Sequence, residues 1–251
     1  LLALLTLTPG CVINKLRAKN SLNEGVREFN KGKYEIAEEK FKFAMELSPE
    51  LANAQLFYAR ALNARFDQAL TEDLGLKAIE AYENIIKNNP SDHAALDKSL
   101  AFQANVYDQL SRSVDDKGEL YKGKYRETLL RRGELPAASQ KTKADVYYTL
   151  GVDYWDEGYK MHASYSSRKL PIPPEILEKM KPRIQKAHEY LNKTLAVDPL
   201  YADAFFYEKL VFLDEIKVET NPARKKDLEA DALRMQDKYL QIQKQKQQQA
   251  S

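Results

Sequence analysis

Few residues in this chain could do chemistry. Cys11 is the only cysteine, and there are three histidines, His93, His162 and His188. A single thiol excludes an intramolecular disulfide framework and any cysteine-based metal cluster. His188-Glu189 begins like the helix of a zinc hydrolase, which needs a second histidine four residues after the first, so that both imidazoles share one face. Asn192 stands there instead, and the motif fails. There is no Gly-x-Ser-x-Gly elbow to expose a nucleophilic serine. Lys31-Gly32-Lys33 and Lys122-Gly123-Lys124 lack the long glycine loop of a phosphate cradle. Carboxylates are abundant, yet Glu38 with Lys42 and Glu189 with Lys193 stand at i, i+4, which reads as support of a solvated helix face. No cofactor, no metal and no catalytic group are expected.

Charge narrows the partners. Lysine and arginine number 39 against 37 aspartates and glutamates, a net charge of +2 over 251 residues. A dedicated nucleic-acid binder would show a basic excess, so no nucleic acid is expected. The informative surplus is aromatic: 15 tyrosines, 9 phenylalanines and one tryptophan. Tyr147, Tyr148, Tyr154, Trp155, Tyr159 and Tyr165 crowd one stretch, and Phe205, Phe206, Tyr207 and Phe212 another.

The elements that must position these rings are helices. From Glu24 to Pro49, Gly25 falls where two antiparallel helices approach and Gly32 where a turn needs positive φ. Tyr34, Ala37, Phe41 and Ala44 share one stripe at helical spacing, and Pro49 closes the segment. This resembles the tetratricopeptide repeat (TPR), a helix–turn–helix unit of about 34 residues. The closing element returns at Glu80–Pro90, with Ala78 at the small position, and at Lys186–Pro199. Each proline is expected as the first residue of the next helix, with Ser48, Asn89 and Asp198 before it as N-caps. Pro49 and Pro90 stand farther apart than one repeat, and the surplus is placed in the turn near Phe66–Leu74. A third pair is expected within Asp92–Ser113 and Lys117–Glu134, its register unset because no glycine marks the close approach. A fourth begins at Ala144, with Tyr147, Leu150, Gly151, Tyr154 and Gly158 in place. An insertion at 159–181 holds Pro171, Pro173 and Pro174, after which helix resumes at Pro182. A fifth pair starts near Tyr201 and Asn221. No strand alternation is found. The fold class is all-α: about ten helices in about five TPR-like hairpins, stacked as a right-handed α-solenoid over residues 18–240. The Gln/Lys-rich tail at 241–251 is expected to fray into solvent.

The resemblance implies a use for the aromatic residues. In TPR proteins the first helix of each hairpin lines a concave groove that takes peptide segments. Carried over by position, the groove would present Leu22, Val26 and Phe29, then Leu56, Arg60 and Asn63, then Tyr148, Val152, Trp155 and Asp156, then Phe206, Leu210 and Leu213. Leu22 and Val26 occupy positions where the terminal-carboxylate clamp of some TPR proteins uses Lys and Asn, so that clamp is not expected. The insertion either folds over the groove or forms part of it.

The N-terminus points to a location. Leu1–Thr8 is an apolar run far too short to span a bilayer, which needs about 20 residues. Followed by Pro9-Gly10-Cys11, it resembles the end of a bacterial lipoprotein signal, in which the cysteine thiol receives diacylglycerol and becomes the new N-terminus. Thr8 stands where the signal prefers leucine, with Leu7 one step further out, and Pro9 departs from the pattern. The resemblance implies residues 1–10 as the end of a signal peptide, lipidation at Cys11 and a linker at 11–17. Val12 after the cysteine, a residue other than aspartate, implies the outer membrane. The expected protein is a non-catalytic TPR adaptor lipoprotein on the periplasmic face of the outer membrane, holding protein or peptide partners in its groove. The alternatives are a soluble cytoplasmic TPR adaptor and an enzyme using the 159–181 insertion.

Overall fold

The computed structural model describes residues 9–250, with side chains from Val12 onward apart from those at 52, 249 and 250. Residues 1–8 of the expected signal segment 1–10 and the Cys11 side chain therefore lie outside the described residues. The described residues form ten α-helices and one 3-10 turn, with no strand. In chain order these are α1 (Pro9–Asn30), α2 (Tyr34–Leu47), α3 (Ala52–Ala69), α4 (Glu72–Asn88) and α5 (His93–Ser113). After the 3-10 turn Asp115–Lys117 come α6 (Gly118–Gly133), α7 (Gln140–Ser167), α8 (Pro174–Val197), α9 (Ala202–Val218) and α10 (Pro222–Ala250). The chain divides into two compact units after Leu135. The first holds the hairpins α1/α2, α3/α4 and α5/α6, and the second holds α7/α8 and α9/α10.

Two glycines explain the first hairpin. Gly32 has φ +75, the left-handed conformation that lets the chain reverse in three residues. A Cβ built on Gly25 would lie 2.5 Å from Phe41 Cε1, so only hydrogen lets α1 seat that ring. Phe41 is fully buried and stacks on Phe57 of α3 at 5.4 Å, which joins hairpin one to hairpin two. Beyond it the unit's core is Ala59, Leu62, Phe66, Ile79, Tyr82, Val106 and Leu110, drawn from α3, α4 and α5. In the second unit Gly151 does what Gly25 does in the first: its Cβ would meet Leu191 Cγ at 2.7 Å.

Several expectations are corrected. The surplus before Pro90 is not a long turn: α3 runs to Ala69 and α4 starts at Glu72. Phe66 is fully buried in helical register, and Leu70, at φ 51, ends α3 by donating its N–H to the Phe66 carbonyl. Pro49, Pro90 and Pro199 are not first helical residues. Ser48, Asn89 and Asp198 instead end α2, α4 and α8, and helix resumes a few residues later. The side-chain cap of α5 is Asp92, which accepts from the Ala95 N–H at 2.9 Å.

Helix in the insertion resumes at Pro174, not at Pro182. Pro173 caps α8 and Pro174 takes its first position, where a missing N–H is harmless. Pro182 lies inside α8. Met180 and Ile184 on either side of it are buried, and that packing carries the helix through a residue that costs about 3 kcal/mol in a helix interior. The insertion thus lengthens its own hairpin, with Met161, Ile176 and Leu177 packed on the core, and is not a lid folded back. The 11–17 linker is helical as the opening of α1. The tail does not fray: α10 runs to Ala250, and Ile242 is buried with Ala202 and Phe205.

Candidate functional site

The site is built on the first helices of three successive hairpins. In the first unit α1, α3 and α5 are neighbours along one face. Phe29 closes α1, Arg60, Asn63, Ala64 and Asp67 come from α3, and Ala101, Phe102 and Asn105 from α5. Together with Tyr82 they line a cavity of about 440 Å³. Phe29, Arg60 and Asn63, singled out by position in the sequence, are thus brought into one cavity.

Arg60 is its centre. The guanidinium carbon lies 5.3 Å from the centroid of Phe29, 5.5 Å from Phe57 and 5.9 Å from Phe102, one ring from each of α1, α3 and α5. Each such contact is worth about 0.5–1 kcal/mol when exposed and more when dry. The rings are themselves braced. Phe57 stacks on Phe41, and Phe102 stacks on the fully buried Tyr82 at 5.6 Å and 12°. Ring faces attract the guanidinium's charge but are no substitute for the oxygen acceptors that its five N–H donors can take. No carboxylate among the described residues pairs with them. The contrast with Arg65, one turn and a half along α3, is direct: Arg65 pairs with Glu38 at 2.5 Å and Glu35 at 3.2 Å.

The other polar groups of the cavity are tied to each other. Asn63 Nδ2 donates to Asp67 Oδ2 at 3.1 Å, and Gln109 Nε2 donates to Asp67 Oδ1 at 2.9 Å and Asn105 Oδ1 at 2.8 Å. Tyr82 reaches Asn63 Oδ1 at 3.5 Å, and burial pushes its phenol up. Asp67 therefore sits at the far end of the cavity as a carboxylate already fed by two neutral amides.

The sequence reading missed Phe57, Asp67, Phe102 and Asn105. The signal was partial. Only the small residue recurs: Gly25 is matched by Ala59, a repeat length further on, which places Arg60 and Asn63 but not the α5 residues. In α5 no glycine marks the close approach, and Ala101 lies half-buried on the cavity wall.

Leu22, Val26 and Leu56 pack partly buried against the first unit's core, and the remaining groove candidates lie in the second unit, where rings fill one another's faces. Tyr148 packs on Tyr201 at 4.9 Å and Tyr207 at 5.7 Å, Trp155 on Tyr207 at 5.1 Å and Tyr159 at 5.2 Å, and Phe206 on Tyr207 and Tyr239. Trp155 Nε1 is buried with no hydrogen-bond partner among the described residues. Asp156 pairs with Lys160 on its own helix, and Leu210 is half-buried.

Two histidine clusters were not foreseen. His188 Nδ1 lies 2.5 Å from Glu208 Oε2 and its Nε2 lies 3.1 Å from Glu215 Oε2, which bolts α8 to α9. Burial alone pulls His188 down, but the hydrogen bonds and charges of both carboxylates outweigh it and hold the imidazole above its ordinary value. Burial and the nearby Glu215 push Glu208 up against the pull of His188. His162 faces Ser166 Oγ at 2.9 Å through Nδ1 and Asp214 Oδ1 at 2.9 Å through Nε2. The order Ser–His–Asp invites a nucleophile reading. Yet the serine is on the Nδ1 side, one turn along the same helix, and His162 is 1% exposed between α7 and α9. A cluster so placed locks helices.

No family model matches the chain, and no curated protein does. Solved structures do. A crystal structure of MamA protein is 18% identical, with a TM-score of 0.51, over 92% of this chain and 94% of that one. A MamA RS-1 ArsTM double mutant is 15% identical, with a TM-score of 0.52, over 92% and 96%. A TPR repeats protein (BF2334) from Bacteroides fragilis NCTC 9343 is 20% identical over 80% and 84%, with a TM-score of 0.49. The likeness is one of fold. With the hairpin geometry above, this chain has the all-α fold of TPR-type helical hairpins.

Proposed function

We propose that the protein is a non-catalytic scaffold that holds a segment of a partner protein in the groove of α1, α3 and α5. The observation that carries this reading is the cavity around Arg60, where rings braced from behind hold a guanidinium with which no described carboxylate pairs. An aromatic-lined groove with a few fixed polar groups suits an extended or helical segment, anchored by side chains that fill pockets between the helices. The titratable clusters of the second unit lie inside helix–helix contacts, which favours a structural role for them.

The location proposed is the cell envelope, with a lipid on Cys11. It rests on the lipoprotein-like run 1–11 and on the opening of α1, where Val12, Ile13 and Leu16 are exposed. No described helix is long and apolar enough to cross a membrane. One acyl chain anchors marginally and several anchor stably. Intact mass after production in a Gram-negative host behind a complete signal peptide tests this. A species beginning at Cys11 and heavier by a diacylglycerol and an acyl group is expected. An uncleaved, unmodified chain beside a processed control lipoprotein contradicts it.

The groove reading is tested by a photo-crosslinking amino acid placed at the exposed Asn105, with the exposed Lys42 as the control position. A discrete adduct from Asn105 and none from Lys42 is expected. Equal labelling from both positions, or none from Asn105, rejects the groove.

A further inference from the structure

Arg60 assigns a chemistry to the occupant. Resting on the groove reading above, we propose that the bound segment carries one acidic side chain, whose carboxylate docks on the Arg60 guanidinium between Phe29, Phe57 and Phe102.

The donors come first. Arg60 is half-buried, its guanidinium carbon lies over three rings, and no described carboxylate pairs with it. Its in-plane N–H groups can therefore donate to an incoming carboxylate. A carboxylate accepts from two of them at once in a parallel fork, which a planar guanidinium presents ready-made and a lysine does not. The rings matter because they hold the fork in place and keep the surroundings poor in water, so the pair is screened less than one at the surface. Little side-chain order is then lost on binding, since the cage has already fixed the arginine.

The second constraint is Asp67. It lines the same cavity seven residues further along α3, satisfied by Asn63 and Gln109, with no cation among the described residues on it. Its charge repels an acidic residue at that end. The cavity thus favours a single acid with neutral or basic neighbours and disfavours an acidic run. The Asn105 amide, whose oxygen already accepts from Gln109, keeps its N–H₂ for a backbone carbonyl of the segment.

The test selects random dodecapeptides displayed on phage against the full chain, then titrates the winners by fluorescence polarisation. Selected peptides are expected to share one Asp or Glu. Changing that residue to Asn or Gln in the peptide weakens binding about tenfold or more. Arg60→Gln weakens the parent peptide equally, and the two changes together cost no more than either alone. Arg60→Met keeps the alkyl stem inside the rings and serves if Arg60→Gln loses its helical melting transition. The peptide-side change needs no folded variant at all. Peptides that lose binding on Phe102→Ala but ignore both the acid and Arg60 overturn the carboxylate pairing and leave the groove standing. Peptides indifferent to Phe102→Ala as well, or no peptide at all, overturn both.

Discussion

At the scale of single residues, hydrogen atoms decide how close the helices come. A methyl on Gly25 would drive into the Phe41 ring at 2.5 Å, with rigid stacking on Phe57 behind it. Gly25→Ala is expected to destabilise by about 1–3 kcal/mol through overpacking, read by chemical denaturation. Gly123 is the control. It lies within α6, is exposed, and has nothing within 4 Å of its would-be Cβ. Gly123→Ala should therefore stabilise by about 0.5–1 kcal/mol, because the helix loses a flexible residue and gains no clash. Equal effects of the two changes would contradict the close-packed account of the first hairpin. Gly25, Gly32 and Phe41 were legible in sequence because small, turn and large positions coincide at helical spacing. Phe102 was not, since an alanine can fill a small position as well as a glycine and no local pattern says which alanine does.

At the scale of elements, the α8–α9 contact contains a proton-dependent bolt. His188 and Glu208 are both held above their ordinary values in the folded chain. Groups raised by folding take up protons on folding, so they favour the folded state at low pH. For His188 that contribution is complete below the ordinary histidine value and is lost as pH rises through its higher folded value. The groups facing the imidazole are Glu208, Glu215 and Phe212 of α9, with Arg224 of α10 beside Glu215 at 3.6 Å. Denaturation at about pH 6 and about pH 9 should show the second unit less stable at the higher pH, and His188→Gln should remove most of that difference. An unchanged slope in the variant would mean that the imidazole does not carry the proton. None of this was readable from the chain, because Glu208 and Glu215 meet His188 only through tertiary packing.

The tail belongs to the same scale. Its Gln/Lys composition suggests a frayed end, yet Ile242 keeps the stripe of α10 alive and covers Ala202 and Phe205. Ile242→Ala should cost about 2 kcal/mol. A loss within experimental error would restore the frayed reading.

At the scale of the whole molecule, repeat spacing revealed the hairpins but not their grouping into two units. The boundary falls at Leu135-Pro136, in the mostly exposed segment 134–139 between α6 and α7. The sequence marks it only by one proline and a few small residues, signals that other loops of this chain share. The first nick in limited proteolysis is expected there. Helix lengths also escaped the pattern. The extra residues of α3, α7 and α8 extend helices instead of loops, since buried residues such as Phe66 and Met180 keep the helical period going.

The central claim is that a partner segment lies across the first-helix face of the first unit. Hydrogen–deuterium exchange of the full chain, with and without a peptide selected on it, tests that claim most directly. Slowed exchange confined to the C-terminal turns of α1, the middle of α3 and the middle of α5, around Phe29, Arg60 and Phe102, is the expected result. Protection falling on α8 and α9, or spread evenly over both units, would contradict it.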